Sequence, residues 1–311
     1  MPSVAPQPGA SDPLGLTGVV PPTVTAFDDG GAVDLAATAA HAEFVAERGA
    51  SAVFPLGTNG EFAMLTGDER RRVVEAVVEA VDVPVIAGVG CPSTRETVAN
   101  AEHAADVGAD GVVAVTPYYY PLDDDAAVAH YRAVAEAVAV PTYVYHIPSR
   151  TGNALSLDAL GRLAELDGVA GIKDSSKDVP WLAQAVDANP DLTFLAGSDS
   201  LLVPGLDLGC AGLVSAVANA FPELVTDLYA AYDTGNEGQA RELQSTVYAV
   251  RRALKRGPYM AGVKTALSLR DLDLRAPRAA ADDGRRRPRG PGARPRRPRT
   301  PLNGVTRPGP R

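Results

Sequence analysis

The sequence predicts an α/β fold, a (β/α)₈ TIM barrel with a C-terminal helical segment. Eight short β-branched runs recur along the chain, and Ala-rich amphipathic stretches with helical spacing alternate with them. The runs are almost continuously apolar, as strands covered on both faces should be. They span residues 19–27, 51–56, 83–89, 111–117, 141–146, 169–175, 192–198 and 211–217. A doubly wound open sheet is the alternative, but the glycine fingerprint expected after its first strand is missing.

The pattern divides the chain into four segments: an N-terminal extension at 1–16, the barrel at 17–221, a helical segment at 222–274 and a tail at 275–311. The tail is rich in Arg and Pro and almost free of large apolar side chains, so we expect it to be disordered. A frame change in the gene is another explanation of this tail. A basic tail is also able to contact nucleic-acid phosphates, but it has no interleaved aromatic residues, and nucleic acid is therefore a disfavoured partner.

Charge is unevenly distributed along the 311 residues. The net charge of −9 combines +8 in residues 280–311 with −17 in the remainder, which is rich in Asp and poor in Lys. An acid excess of this size is typical of a high-salt proteome and predicts salt-dependent folding. The sequence has no apolar run long enough for a membrane span, no signal peptide and only two cysteines, so we expect a cytoplasmic protein.

Lysine placement indicates the chemistry, because the chain has only four lysines. We expect Lys177, Lys255 and Lys264 to be solvated. Lys173 instead ends an apolar strand, on the face that points into a barrel. Burial there would lower the pKa of its amine and allow attack on a carbonyl to form an imine. The alternative is an ion pair with Asp174 or another acid at the barrel mouth.

Two other segments should lie beside this lysine. Tyr145 ends the preceding strand, so it can meet Lys173 across a bound substrate and carry a proton. The turn that contains Thr58 and Asn59 offers donors suited to a carboxylate. We expect no metal and no cofactor other than the covalent imine, because the sequence has neither paired histidine spacing nor a nucleotide-binding loop.

Four ordered motifs resemble the dihydrodipicolinate synthase and N-acetylneuraminate lyase family of class I pyruvate aldolases. They are GTNGE at 57–61, TPYYY at 116–120, YHIPSRTG at 145–152 and GIKDSS at 171–176. The resemblance covers residues 17 to about 270 and implies a barrel that assembles as a homotetramer and binds pyruvate. It also implies that Lys173 forms the imine and that Tyr145 relays protons.

The same resemblance implies roles for further positions. Thr58 and Asn59 match the pair that holds the pyruvate carboxylate, although Asn59 replaces a hydroxyl residue and cannot pass a proton as a hydroxyl does. Tyr119 matches a tyrosine that crosses a dimer interface to complete the relay. Val214 matches an apolar residue that lines the site.

The substrate must be inferred from departures within the motifs. Arg150 resembles the arginine that dihydrodipicolinate synthases use for the carboxylate of the aldehyde substrate. Tyr120, His146 and the GSD sequence at 197–199 differ from those synthases. The GSD sequence and the KDS sequence at 173–175 look more like archaeal 2-keto-3-deoxygluconate aldolases of the Entner-Doudoroff pathway. We therefore expect reversible cleavage of 2-keto-3-deoxygluconate, or its 6-phosphate, to pyruvate and glyceraldehyde or its 3-phosphate. The alternatives are 4-hydroxy-tetrahydrodipicolinate synthase and a non-catalytic sensor or nucleic-acid-binding protein.

Overall fold

The computed structural model describes residues 5–278, and seven parallel strands in this part of the chain form one curled sheet. The strands are β1 (Gly18–Val19), β2 (Ile86–Gly88), β3 (Gly111–Val115), β4 (Thr142–His146), β5 (Val169–Asp174), β6 (Thr193–Ala196) and β7 (Gly212–Leu213). Their order is β1-β7-β6-β5-β4-β3-β2, so each strand from β2 to β7 lies next to its successor in the sequence. This arrangement is that of the predicted (β/α)₈ barrel.

The eighth barrel position is an extended segment at residues 51–56 that lacks a regular ladder. On one side, the backbone of this segment forms a hydrogen bond with β1, where the Ser51 amide donates to the Val19 carbonyl at 2.8 Å. On the other side, the Ile86 amide of β2 donates to the Val53 carbonyl at 3.0 Å. Proline explains the interrupted ladder, because residues 21, 22, 55 and 84 are prolines without an amide donor.

Helices cover the outside of the barrel and continue beyond its last strand. In the described part of the chain they are α1 (Leu35–Ala46), α2 (Gly67–Ala80), α3 (Thr94–Asp106), α4 (Asp124–Ala137), α5 (Pro148–Thr151), α6 (Leu157–Ala164), α7 (Val179–Ala188), α8 (Leu202–Asp207), α9 (Pro222–Asp233), α10 (Glu237–Leu254) and α11 (Tyr259–Ser268). Local sequence fixes several helix starts. Thr66 and Glu69, for example, form a reciprocal capping box at the start of α2. None of the helices within residues 5–278 has the length and hydropathy needed to cross a bilayer.

Two apolar layers hold the barrel together. The larger layer lies between strands and helices, and the smaller one fills the barrel interior with side chains such as Ile86, Val113 and Leu195. The predicted N-terminal extension closes the bottom of this interior. There the Tyr143 hydroxyl donates to the buried Asp12 carboxylate at 2.5 Å, and Leu16 packs into the interior layer. The bottom of the barrel is therefore plugged, and the carboxyl ends of the strands are left for a site.

The beginning of the predicted tail packs against the barrel. Arg278 donates to the Glu69 carboxylate and to the Met64 carbonyl, and its backbone amide donates to Glu61 at 3.0 Å. The expectation of disorder from residue 275 therefore does not describe residues 275–278, because charge pairing supplies contacts that a count of apolar residues overlooks. The rest of the predicted tail, 279–311, lies outside the described residues.

Candidate active site

Lys173 and Tyr145 lie side by side at the carboxyl ends of β5 and β4. The strand register pairs their Cα atoms directly, and both side chains are 4% exposed. The Lys173 Nζ lies 3.7 Å from the centroid of the Tyr145 ring and 4.7 Å from that of Phe54. The alternation of the strand faces thus brings the two residues together as predicted.

The surroundings of Lys173 make its ammonium group easier to deprotonate than that of a solvated lysine. Burial lowers its pKa, and the nearby Tyr145 and Asp199 oppose this effect without reversing it. The neighbouring Asp174 is not its ion-pair partner, because that carboxylate accepts the Nδ1 hydrogen of His146 at 2.9 Å. A lysine with a lowered pKa offers a nucleophilic amine at a lower pH than a solvated lysine does.

The hydroxyl of Tyr145 is placed to move a proton. It lies 3.2 Å from Thr58 Oγ1, and either oxygen is able to donate. Burial would raise the pKa of Tyr145, but the charge of Lys173 and hydrogen bonds from Thr58 and Ser175 outweigh burial and lower it. The lowered pKa makes the phenolate, which is the form that accepts a proton, available at a lower pH than in a free tyrosine.

Unpartnered polar atoms identify a place for a ligand beside this pair. Asn59 and Ser198 are buried, and neither Asn59 Nδ2 nor Ser198 Oγ has a hydrogen-bond partner in the described structure. Both residues line the same cavity as Lys173. A buried donor without a partner is costly, so a bound oxygen acceptor such as a carboxylate would be stabilised here.

An ion pair behind the site supports the turn that carries Thr58 and Asn59. Glu61 has a left-handed backbone with φ 53°, and its carboxylate lies 2.8 Å from the Nζ of Lys264. The side chains of Glu61 and Lys264 are 3% and 2% exposed, respectively. The expectation that Lys264 is solvated is therefore wrong, because its acidic partner is distant in sequence and adjacent only in the fold.

A cavity of about 460 Å³ joins these residues at the top of the barrel. Six of the seven predicted site residues line it: Lys173, Tyr145, Thr58, Asn59, Arg150 and Val214. Within residues 5–278, no group of three acidic, histidine or cysteine side chains is arranged to hold a metal ion. One pocket thus contains an amine, a hydroxyl that is able to transfer a proton, and hydrogen-bond donors for a substrate carboxylate. Imine chemistry on a keto acid requires these groups.

Residues 15–285 match the model of the dihydrodipicolinate synthetase family. The chain belongs to this family. It is therefore a carbon–carbon lyase of the class I aldolase type, in which a lysine forms an imine with the keto substrate and no external cofactor is needed.

Relatives of the aldolase span nearly its whole length. An uncharacterised DapA-like lyase of Halobacterium salinarum is 69% identical over 91% of this chain and 95% of the relative. A 4-hydroxy-tetrahydrodipicolinate synthase of Methanothrix thermoacetophila is 36% identical over 86% of this chain and 92% of the relative.

Two solved structures are similar in fold. Dihydrodipicolinate synthase DapA-2 of Bacillus anthracis has a TM-score of 0.82 at 30% identity, covering 85% of this chain and 91% of its own. YagE of E. coli, solved in complex with pyruvate, has a TM-score of 0.79 at 30% identity, covering 82% of this chain and 88% of its own.

Tyr119 is the predicted residue that lies outside the cavity of this aldolase. Its side chain is 84% exposed, its φ is 83°, and its ring meets that of Tyr120 edge to face at 5.0 Å between centroids. A single chain therefore does not bring Tyr119 to Tyr145. Its role across a subunit interface stays a prediction.

Sequence reasoning missed several polar residues that line the cavity. They are Ser149, Ser175, Lys177, Ser198, Asp199, Arg251, Lys255 and Tyr259. Arg251 lies in the last turn of α10, and Lys255 directly follows the helix. Their spacing of four residues was a usable signal, because residues at this separation lie on one helix face. His146 lies outside the cavity, between Asp174 and the Trp181 ring. Its departure from the synthase motif therefore concerns the packing behind β4.

Proposed function

We propose that this aldolase reversibly cleaves 2-keto-3-deoxygluconate, or its 6-phosphate, to pyruvate and glyceraldehyde or its 3-phosphate. The observation that carries the proposal is the set of hydroxyl and cationic groups that line the same cavity as Lys173. Ser149, Ser175 and Ser198 offer hydroxyls suited to the polyol part of a sugar acid. This polar lining supports a substrate longer than a simple aldehyde.

The proposed reaction begins at Lys173. Its neutral amine attacks the C2 carbonyl, and Tyr145 gives its phenolic proton to the hydroxyl of the carbinolamine, which leaves as water. This step produces an iminium that serves as an electron sink, and a Tyr145 phenolate. The phenolate accepts the proton of the C4 hydroxyl as the C3–C4 bond breaks, and the bond electrons move into the enamine. Tyr145 returns this proton to C3 of the enamine, and hydrolysis of the resulting iminium then releases pyruvate and restores the phenol. Asn59 and Thr58 hold the C1 carboxylate throughout.

A second copy of the chain is expected to complete the site. Tyr119 and Tyr120 are two large aromatic side chains on the surface, 84% and 72% exposed, and a subunit contact would cover them. We therefore propose a homotetramer in which Tyr119 of one subunit reaches the relay of its neighbour. Sedimentation of the wild-type protein should give a tetramer, and a fully active monomer would contradict this assembly.

The second candidate is 4-hydroxy-tetrahydrodipicolinate synthase. The observation that favours it is Arg150 in the cavity wall, because a guanidinium is suited to the carboxylate of aspartate semialdehyde. The relative from Methanothrix thermoacetophila carries that name at 36% identity. Arg150 also suits the phosphate or carboxylate of a sugar acid, so this residue does not decide between the two candidates.

One comparative assay separates the candidates. The purified protein is incubated in concentrated KCl with 2-keto-3-deoxygluconate, with its 6-phosphate, and with pyruvate plus aspartate semialdehyde. We expect pyruvate release from a sugar acid. Pyruvate consumption with semialdehyde, without release from either sugar acid, would replace the proposal with the synthase.

A further inference from the structure

Four cationic side chains line the cavity and lie close enough to one another to interact electrostatically. Arg150 comes from α5, Lys177 from the loop after β5, Arg251 from the last turn of α10, and Lys255 directly follows that helix. They line the same cavity as Lys173. Elements far apart in the sequence thus place positive charge on one side of a site, in a chain whose net charge is −9.

Little negative charge in the cavity wall balances this cluster. Asp199 is the carboxylate among the described lining residues, and its oxygens already accept from Ser215 at 2.6 Å and from Tyr259 at 2.8 Å. Arg251 lies 3.8 Å from it through Nε, too far for a hydrogen bond. Within residues 5–278, Arg150, Lys177 and Lys255 have no carboxylate within 4 Å, although the Lys255 Nζ lies 5.6 Å from the Tyr259 ring centroid.

The cations also repel one another. Burial lowers the pKa of Lys255, and the charges of Arg251, Lys177 and Arg150 lower it further, while Asp199 opposes them. Like charges held together without an anion are unfavourable, and a ligand with two negative charges would relieve the repulsion. Arg150 alone would be sufficient for a single carboxylate. The further cations therefore indicate a more highly charged ligand.

We propose that Lys177, Arg251 and Lys255, with Arg150 at their edge, form a subsite for a phosphate monoester at the end of the substrate remote from the imine. This inference rests on the proposed function, in which Lys173 holds the keto end of the chain. It assigns the 6-phosphate, and not the free sugar acid, as the preferred substrate. Lysine and arginine suit this role because they bind phosphate oxygens through charge-assisted hydrogen bonds.

The test compares substrate selectivity in Lys177→Gln and Lys255→Gln. Both side chains are exposed, so the variants should fold. For each variant we expect the ratio of kcat/KM for the phosphorylated over the free sugar acid to fall about tenfold, with a larger fall in the double variant. Arg252→Gln is the matched control, because Arg252 lies exposed on the same helix and outside the cavity. Its selectivity ratio should equal that of the wild type.

Inorganic phosphate provides a second readout. It should inhibit cleavage of the free sugar acid competitively, and Lys177→Gln and Lys255→Gln should weaken this inhibition about tenfold, whereas Arg252→Gln should not. Equal selectivity ratios in all variants would overturn the subsite.

Failure of the subsite and failure of the proposed function give different results. Borohydride trapping of pyruvate by the wild-type protein tests the imine without involving the subsite. Pyruvate trapping and sugar-acid cleavage without phosphate selectivity would refute only the proposed subsite. Absence of cleavage for both sugar acids would refute the proposed function and the subsite together.

Discussion

Tyr145→Phe removes the hydroxyl to which the proposed mechanism assigns proton transfer, and leaves the aromatic ring in place. The ring packs edge to face against Phe54, with centroids 6.2 Å apart, and this contact does not need the oxygen. The lost interaction with Thr58 Oγ1 at 3.2 Å should cost only about 1 kcal/mol of folding free energy. A positioned general base contributes about 10²- to 10⁴-fold in rate. We therefore expect kcat for sugar-acid cleavage to fall by about that factor, which corresponds to about 3–5 kcal/mol.

Pyruvate capture should respond differently to the same change. Lys173 remains, so prolonged incubation with pyruvate and borohydride should still label the variant. The hydroxyl of Tyr145 raises the pKa of Lys173, so its removal should lower that pKa further. Trapping depends on the neutral amine and rises as pH passes through this pKa. The rising limb of the trapping profile should therefore move to lower pH.

Tyr143→Phe is the matched control, because Tyr143 lies two residues earlier on the same inward face of β4. Its hydroxyl donates to buried Asp12 at the opposite end of the barrel. This variant should lose about 1–3 kcal/mol of stability in urea denaturation and keep its kcat. A Tyr145→Phe protein that is folded and cleaves within fivefold of the wild-type rate would refute the assigned proton transfer.

Three further predictions concern stability. Lys264→Met leaves Glu61 buried without its cation and should lower the free energy of unfolding by about 3–5 kcal/mol in urea denaturation. Adding Glu61→Gln should restore part of this free energy. An unchanged urea midpoint in Lys264→Met would contradict the buried pair. The hydrogen bonds from Arg278 lower the pKa of Glu69 to about 2 from 4.5, so this pair should stabilise the fold fully above pH 4.5 and lose its effect as pH falls toward 2. Because solvent screens this partly exposed pair, the stability difference between wild type and Glu69→Gln should shrink by about 1 kcal/mol over that range. A difference independent of pH would refute the linkage. The acid excess predicts that the Tm rises between low salt and molar KCl, whereas a constant Tm would exclude salt-dependent folding.

The periodicity of apolar residues was sufficient to predict the barrel, because each strand and helix has a recognisable pattern within its own segment of sequence. The pairing of Tyr145 with Lys173 was also predictable, since both residues end adjacent parallel strands on the inward face. The irregular segment at 51–56 was less predictable in detail. It keeps its place between β1 and β2 although nearby prolines interrupt the ladder.

Contacts between distant segments were beyond sequence reasoning. Lys264 looked like a solvated helix residue until the fold brought it to Glu61. Lys177 and Lys255 are exposed, as expected, but the cavity that both residues line exists only in the folded chain. Arg278 was similarly included in a disordered tail, and its bonds to Glu69 depend on the position of α2.

The central claim is that Lys173 forms the imine, and borohydride reduction with pyruvate tests it most directly. The wild-type protein should gain the mass of one reduced pyruvyl group, and peptide mapping should place that group on Lys173. Lys264 is a useful internal comparison, because it is also buried but paired with Glu61, and it should carry no label. Lys173→Arg should abolish labelling while the protein remains folded. Labelling that persists in Lys173→Arg, or that maps to another lysine, would contradict the account.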